Sequence, residues 1–282
     1  MTPALRGRTL VMSGGSRGIG LAILVAAARQ GANVVLLAKT DEPDPRLPGT
    51  VHTAVAEIRA AGGDAYAVVG DVRREPDVER AVATAVERFG GVDICVHNAG
   101  AIDKSGTAEL SVQRFDLMQQ INVRGAFLLT RACLPHLRRS EHAQVLSLAP
   151  PLNLAPHWLG RFPAYTQSKY ALTLLTLGWA AEFAADGISA NCLWPQTRIA
   201  TAVIKNLMGG AEALAGAREP EIMADAAMRI LSGAARVTGR TLLDVEVLAA
   251  AGVTDLSRYG GGPDPTLDLF VDPDTKTEGE EI

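Results

Sequence analysis

Cysteine and histidine are scarce in this chain of 282 residues. Its three cysteines, Cys95, Cys133 and Cys192, are too few and too scattered for a disulfide framework or a zinc site. They lie in apolar runs, which is typical of small core residues. The five histidines show no spacing of metal ligands, so we expect no metal ion.

Long apolar runs and an excess of positive charge are also missing. No run approaches the ~18 apolar residues of a membrane-spanning helix. The first apolar run begins too near the N-terminus for a signal peptide to precede it. A net charge of −4 argues against a nucleic acid or an anionic membrane as the main partner. We therefore expect a cytoplasmic protein that acts on a small molecule.

A glycine-rich turn lies between Thr9 and Gly20, after a short apolar run and before a helical pattern. Strand, turn and helix in this order present backbone N–H groups and the positive end of the helix dipole to an anion. Glycine adopts a positive φ and lets a phosphate approach the backbone closely. The stretch therefore predicts a phosphate-binding turn.

Strand and helix patterns alternate along most of the chain. Strands are predicted at Leu10–Met12, Asn33–Ala38, Ala65–Val69, Val92–His97, Gln144–Leu148 and Ile188–Leu193, with Leu242–Leu248 as a candidate seventh. Helices are predicted from the turn to Gln30 and at His52–Ala61, Pro76–Phe89, Ser111–Leu137, Pro163–Ala185, Thr201–Ala217 and Pro220–Ser232. This alternation predicts an α/β fold, a Rossmann-type, doubly wound parallel sheet of seven strands, with ligands at its carboxyl edge.

The fold is expected to form a single domain over residues 1–254. Residues 255–282 are rich in glycine, proline and acidic side chains. We expect this stretch to be a tail that is either disordered or laid on a neighbouring subunit.

Tyr165 and Lys169 lie four residues apart at the start of a predicted helix, so their side chains share one face. A nearby ammonium group favours the phenolate, and we therefore expect Lys169 to lower the pKa of Tyr165. Such a tyrosine is a usable general acid or base.

Further polar and small residues follow the predicted strands. Asp71 and Val72 follow the third strand, and Asn98, Ala99 and Gly100 follow the fourth. Asn122 lies within the long helical region, while Pro195, Ile199 and Thr201 come after the sixth strand. These motifs occur in the order, and at the spacings, found in one enzyme family.

Over residues 6 to 250 the chain resembles the short-chain dehydrogenase/reductase family. The glycine signature of that family is matched from Ser13 to Gly20, with serine in place of threonine. The segments Ala38–Thr40, Pro150–Leu154 and Leu193–Pro195 resemble the hydroxysteroid dehydrogenase-like subgroup. Members of this subgroup can carry a sterol-carrier domain, and we expect this chain to lack one.

The resemblance implies a role for each matched residue. Gly14, Gly15, Ser16, Arg17, Gly18, Ile19 and Gly20 would bind the pyrophosphate, Asp71 with Val72 the adenine, and Asn98, Ala99 and Gly100 the adenosine ribose. Lys169 would bind the nicotinamide ribose, and Tyr165 would exchange a proton with the substrate oxygen. Asn122 would hold a water, and Pro195, Ile199 and Thr201 would contact the carboxamide.

The charges near the second strand favour NADP(H) over NAD(H). Members that prefer NAD place a carboxylate at the end of this strand. Here the position reads Ala38-Lys39, and Arg17 lies in the glycine turn. Two cations attract a 2′-phosphate, although both are also typical of a solvated surface.

The chain departs from the family at the catalytic serine. Pro150 occupies the aligned position, and Ser147 and Asn153 are the nearest polar alternatives. Loss of one hydrogen-bond donor to the reacting oxygen lowers the rate by about 10²–10³. The departure leaves an alternative open, an NADP(H)-binding sensor or scaffold with little catalysis.

The glycine turn also matches the nucleophile elbow of hydrolases, but the last histidine, His157, precedes the final two predicted strands. A hydrolase is therefore rejected.

The region from Gly210 to Arg218, with Trp158, Leu159, Phe162 and Trp194, predicts an apolar substrate site. We expect a lipophilic alcohol or carbonyl as substrate. The resemblance implies a homodimer or homotetramer.

Overall fold

A computed structural model describes residues 4–44, 48–202, 214–233 and 237–273. Seven parallel strands form one sheet in the order β3-β2-β1-β4-β5-β6-β7. The strands are β1 (Thr9–Ser13), β2 (Asn33–Ala38), β3 (Ala65–Val69), β4 (Ile94–His97), β5 (Gln144–Leu148), β6 (Ser189–Trp194) and β7 (Thr241–Leu243). The predicted Rossmann-type sheet is confirmed, because the strand order reverses between β1 and β4 as in doubly wound folds.

Helices cover both faces of the sheet. They are α1 (Gly18–Arg29), α2 (Val51–Ala60), α3 (Glu75–Phe89), α4 (Val112–Met118), α5 (Ala126–Leu137), α6 (Pro156–Arg161), α7 (Pro163–Glu182), α8 (Glu221–Leu231) and α9 (Asp244–Ala250). A π-helix, Gln119–Gly125, joins α4 to α5, and short 3₁₀ helices lie at Ala184–Asp186 and Ser257–Tyr259. None of the helices in the described ranges is long and apolar enough to cross a membrane.

Two apolar cores lie on opposite faces of the sheet. Leu10, Met12 and Leu36 point to the face covered by α1, α2, α8 and α9. Val11 and Val35 alternate with them and point to the face covered by α3, α5 and α7. Continuous apolar strands form here because both faces of a parallel sheet are buried. The three cysteines are buried and free, as their apolar surroundings predict.

The predicted seventh strand was too long. β7 ends at Leu243, and Asp244 begins α9. Glu246 accepts a hydrogen bond from the backbone N–H of Leu243 at 3.1 Å, and both acids lie in the first helical turn. Acidic side chains at a helix start are stabilised by the helix dipole. The two acids therefore favour a helix after Leu243, and the strand ends there. The predicted helix Thr201–Ala217 lies mostly outside the described residues.

The C-terminal segment (residues 263–273) packs on its own chain, so the expected disorder was wrong for these residues. Its contact with a neighbouring subunit stays a prediction. Leu267 and Thr197 form an antiparallel bridge. Phe270 is fully buried in a third apolar cluster. Its ring contacts the aromatic side chains of Trp158, Phe162, Tyr165, Tyr170 and Trp194, with centroid distances of 5.2 to 6.5 Å.

Candidate active site

A cavity of about 460 Å³ opens along the carboxyl edge of the sheet. It contains most of the predicted site residues, namely Gly14, Ser16, Arg17, Gly18, Ile19, Lys39, Asp71, Val72, Asn98, Ala99, Gly100, Tyr165, Lys169, Pro195 and Thr201. The cavity lining does not include Gly15, Gly20, Asn122 or Ile199. The cavity crosses the point between β1 and β4 at which the strand order reverses, where ligands of open α/β sheets bind.

The glycine turn needs glycine for close packing. Gly14 has a φ of +79°, and a Cβ there would lie 2.7 Å from the Cα of Ala99. A Cβ at Gly20 would collide with the Asn98 amide, which itself donates a hydrogen bond to the carbonyl of Gly14. Gly15 packs against the side chain of Leu24. The turn and the end of β4 are therefore locked together, which shapes the cavity floor.

Both cations near the end of β2 have partners in the structure. The Arg17 guanidinium donates hydrogen bonds to the carbonyls of Pro48 and Gly49, at 3.2 and 2.8 Å, and to the hydroxyl of Thr40 at 3.0 Å. Lys39 lies 3.4 Å from the carboxylate of Asp71, and 61% of its side chain is exposed. Arg17 therefore holds the neighbouring loop, whereas Lys39 is accessible to a ligand.

Asp71 is already held by a neighbour. The guanidinium of Arg73 donates to both carboxylate oxygens, with distances of 2.5 to 2.9 Å. Mainly through this hydrogen bonding, the pKa of Asp71 falls to about 2, so the group stays ionised. A carboxylate engaged in this way has fewer acceptor positions for an adenine amino group.

Tyr165 lies in the first turn of α7, which begins at Pro163. Burial, and then the charge of Asp268, hold the pKa of Tyr165 well above its usual range. The Lys169 ammonium donates to the carbonyl of Leu148 at 2.5 Å and lies 4.9 Å from the centre of the Trp194 ring. The predicted lowering of the Tyr165 pKa was wrong for this structure, because burial dominates and the net shift is upward. Burial also lowers the pKa of Lys169, to about 8.

The side chain of Asn122 braces the site from behind. Its Oδ1 accepts from the N–H of Ala101 at 2.7 Å, and its Nδ2 donates to the carbonyl of Ala101 and the hydroxyl of Ser168, both at 2.9 Å. The hydroxyl of Ser168 donates to the carbonyl of Tyr165 at 2.8 Å. This chain of contacts links the loop after β4 to the helical turn that carries Tyr165.

Neither polar alternative to the missing serine faces the cavity. Ser147 is fully buried on β5, and its hydroxyl accepts a hydrogen bond from Thr176 at 2.7 Å. The Asn153 amide donates to Asp272 at 2.8 Å and to the carbonyl of Phe270 at 3.2 Å. Asn153 therefore holds the C-terminal segment.

Sequence reasoning missed the contribution of the C-terminal segment to the cavity. Asp268 and Leu269 reach the cavity from the C-terminal segment, beside Tyr165 and Lys169. The apolar run Leu267–Val271, interrupted by Asp268, was a signal of a packed segment.

Among the predicted substrate contacts, Trp194 lines the cavity, Trp158 and Phe162 are buried around Phe270, and Leu159 is 41% exposed. Residues 210–213 lie outside the described ranges.

Comparison with known proteins decides the family. The family model for short chain dehydrogenases matches residues 8–208. This chain belongs to the short-chain dehydrogenase family. The family comprises oxidoreductases that bind nicotinamide dinucleotides, and the resemblance noted from the sequence is confirmed.

Relatives and solved structures agree with this membership. The chain is 45% identical over 273 residues to hydroxysteroid dehydrogenase-like protein 2 of Danio rerio and 41% identical to that of Homo sapiens. Each alignment covers 96% of this chain, and the chain spans 65% of the length of these curated relatives. A short chain dehydrogenase structure from Mycobacterium thermoresistibile is 49% identical, with a TM-score of 0.89 over 95% of this chain and 96% of that one.

Proposed function

We propose that this short-chain dehydrogenase transfers hydride between NADP(H) and a hydrophobic alcohol or carbonyl compound, with Tyr165 as general acid and base. The observation that carries the proposal is a single cavity lined by the glycine turn at one end and by Tyr165 and Lys169 at the other. A dinucleotide placed along it would have its phosphates at the start of α1 and its nicotinamide near Tyr165.

The glycine turn fits the phosphates of a dinucleotide. Gly14 and Gly18 both have positive φ values, and the turn exposes the N-terminal end of the twelve-residue helix α1. No acidic side chain lies in the first turn of that helix to oppose an anion. The bound nicotinamide supplies or accepts the hydride, while the protein positions the reactants and moves the proton.

Lys39 supports the choice of NADP(H). Its exposed ammonium group lies where NAD-preferring relatives carry a carboxylate, and the nearest acid, Asp71, is paired with Arg73. Replacement of Lys39 by alanine should weaken NADPH binding about tenfold, because a charge-assisted hydrogen bond to the 2′-phosphate is lost. NADH lacks this phosphate and serves as the internal control.

The buried Tyr165 supports proton donation toward a substrate oxygen. A tyrosine with a raised pKa remains protonated at neutral pH, which suits the direction of carbonyl reduction. The hydroxyl gives its proton to the developing alkoxide, and the Lys169 ammonium stabilises the resulting phenolate. Asn122 positions Tyr165 through Ser168, and a water held at Asn122 remains a prediction.

The substrate end of the cavity supports a lipophilic ligand. Ile102, Trp194 and Leu269 contribute apolar surface close to Tyr165. Apolar walls with few polar groups are typical of sites that select hydrophobic molecules. Cytoplasmic location, assembly as a homodimer or homotetramer, and the division at residue 254 are further predictions from the sequence.

Fluorescence titration with NADPH and NADH, followed by a screen of lipophilic aldehydes and ketones, tests the proposal. We expect tighter binding of NADPH and its oxidation by at least one carbonyl compound. Tight binding without turnover across the panel would favour the alternative, a sensor or scaffold, which the missing serine motivates. Failure to bind either nucleotide would contradict both functions.

A further inference from the structure

The C-terminal segment delivers a carboxyl group to the reacting end of the cavity. Its backbone is fixed beside the loop after β6, where the N–H of Asp268 donates to the carbonyl of Gln196 at 3.0 Å. The indole N–H of Trp194 donates to the carbonyl of Leu269 at 2.9 Å. These bonds hold Asp268 at the cavity wall.

Phe270 anchors the segment at the cost of backbone strain. Its φ is +70°, and it is the one non-glycine residue with a positive φ among the described ranges. A bulky residue rarely adopts this conformation unless its surroundings enforce it. The ring of Phe270 stacks on Tyr165, with centroids 6.2 Å apart. The same anchor thus places Asp268 and supports the ring of Tyr165.

The Asp268 carboxyl keeps an oxygen available to a ligand. Oδ1 accepts the N–H of Leu269 at 2.8 Å. Oδ2 makes no hydrogen bond within the described ranges, and the residue lines the cavity with Tyr165 and Lys169. The other acidic side chain of the cavity wall, Asp71, is paired with Arg73 at the far end.

We propose that Asp268 is the second hydrogen-bonding group for the substrate oxygen. It takes the role that a serine, which this chain lacks, has in related enzymes. The inference rests on the proposed function. It is carried by the position of Asp268 beside Tyr165, and by the orientation of Ser147 and Asn153 away from the cavity.

The protonated carboxyl is the form that donates. Burial raises the pKa of Asp268 to about 7, and Asp244 adds to this effect, whereas the N–H of Leu269 and the cations Arg198 and Lys104 oppose it. Tyr165 and Lys169 line the same cavity, and the charge of Asp268 acts on both. In the reductive direction the carboxyl keeps its proton and hydrogen-bonds the oxygen, while Tyr165 transfers its own proton to that oxygen. The ionised form accepts only, so activity should fall as pH rises through about 7.

The position of Asp268 is testable without substrate. Carbon NMR of carboxyl-labelled aspartate should show one resonance titrating near pH 7 that Asp268→Asn removes. Lys169→Met should raise the pKa of Asp268, because an ammonium whose charge interacts with Asp268 is lost. Lys39→Met makes the same change at the far end of the cavity and should leave the pKa of Asp268 unchanged. An unchanged titration in Lys169→Met would overturn the proposal.

The role of Asp268 is tested with NADPH and decanal. Asp268→Ala should lower kcat about 10²-fold. Asp268→Asn retains a hydrogen-bond donor, so its kcat should fall less than that of Asp268→Ala. Because asparagine does not ionise, the decline of activity near pH 7 should disappear in this variant. Asp264→Asn, an exposed change in the same segment, is the matched control. Equal effects of the changes at 264 and 268, or an intact pH profile in Asp268→Asn, would overturn the role.

The two proposals can fail separately. If the unaltered chain reduces neither decanal nor any other carbonyl of the panel, the proposed function fails, and the NMR titration still decides whether Asp268 shares an electrostatic environment with Lys169. If decanal is reduced and the variants at position 268 behave like the control, the proposed function stands and the role of Asp268 is refuted.

Discussion

The amide of Asn153 donates a hydrogen bond to the carboxylate of Asp272 at 2.8 Å, across 119 residues of sequence. The same carboxylate accepts from the indole N–H of Trp158 and contacts the ring of His157, both at 3.0 Å. Three side chains thus converge on one acid at the end of the C-terminal segment. This contact fastens the segment that carries Asp268 and Phe270.

Replacement of Asp272 by alanine should lower the free energy of unfolding by about 2 kcal/mol, since hydrogen bonds to a charged group are lost. Urea denaturation measures the change. Asp264→Ala, in an exposed part of the same segment, should stay within about 0.5 kcal/mol of the unaltered chain. Equal losses for both variants would show that Asp272 does not fasten the segment.

Alanine at Gly14 should impair both folding and nucleotide binding. The new Cβ would lie 2.7 Å from the Cα of Ala99 in a backbone conformation that already disfavours side chains. Gly90 has a similar φ of +87°, and a Cβ there would meet no atom within 4 Å, so Gly90→Ala should cost about 1 kcal/mol from strain alone. A thermal melt and an NADPH titration of both variants check this. Equal stabilities of Gly14→Ala and Gly90→Ala would show that the close approach of Gly14 to Ala99 does not contribute to the stability of the fold.

His97 should make the fold sensitive to acid. Burial lowers its pKa to about 3, from 6.5 in the unfolded chain, so unfolding takes up a proton below pH 6.5. Its contribution to stability is complete above pH 6.5 and falls by about 3 kcal/mol between pH 7 and pH 4. Urea denaturation across this range measures the free energy of unfolding at each pH. For His97→Gln this free energy should fall less steeply between pH 7 and pH 4 than for the unaltered chain. The exposed His142→Gln is the control, and identical slopes for both variants would contradict the expectation.

The strands and the glycine turn were predictable from sequence because their signals are local. Apolar runs such as Asn33–Ala38 match the observed strands, and positive-φ glycines recur where the turn was expected. The end of β7 was not predictable in this way. The stretch Leu242–Leu248 is apolar enough for a strand, and the acidic start of α9 at Asp244 decides the outcome.

Long-range contacts explain what sequence reasoning missed. The Asp-Leu-Phe-Val stretch from Asp268 to Val271 lies among glycine, proline and acidic residues, so its composition resembles that of a tail. Only the folded chain brings Phe270 against five aromatic rings contributed by distant segments. The pKa of Tyr165 was misjudged for a related reason, because four-residue spacing to Lys169 says nothing about burial or about Asp268.

The most direct test of the central claim is the rate of NADPH oxidation by Tyr165→Phe with a carbonyl that the unaltered chain reduces. We expect kcat to fall at least about 10²-fold, because the proton donor is lost. NADPH affinity should stay within about threefold, and Tyr66→Phe, a tyrosine on β3 beside Phe89, should retain full activity. Turnover that survives in Tyr165→Phe would contradict the account and place the proton chemistry on another group.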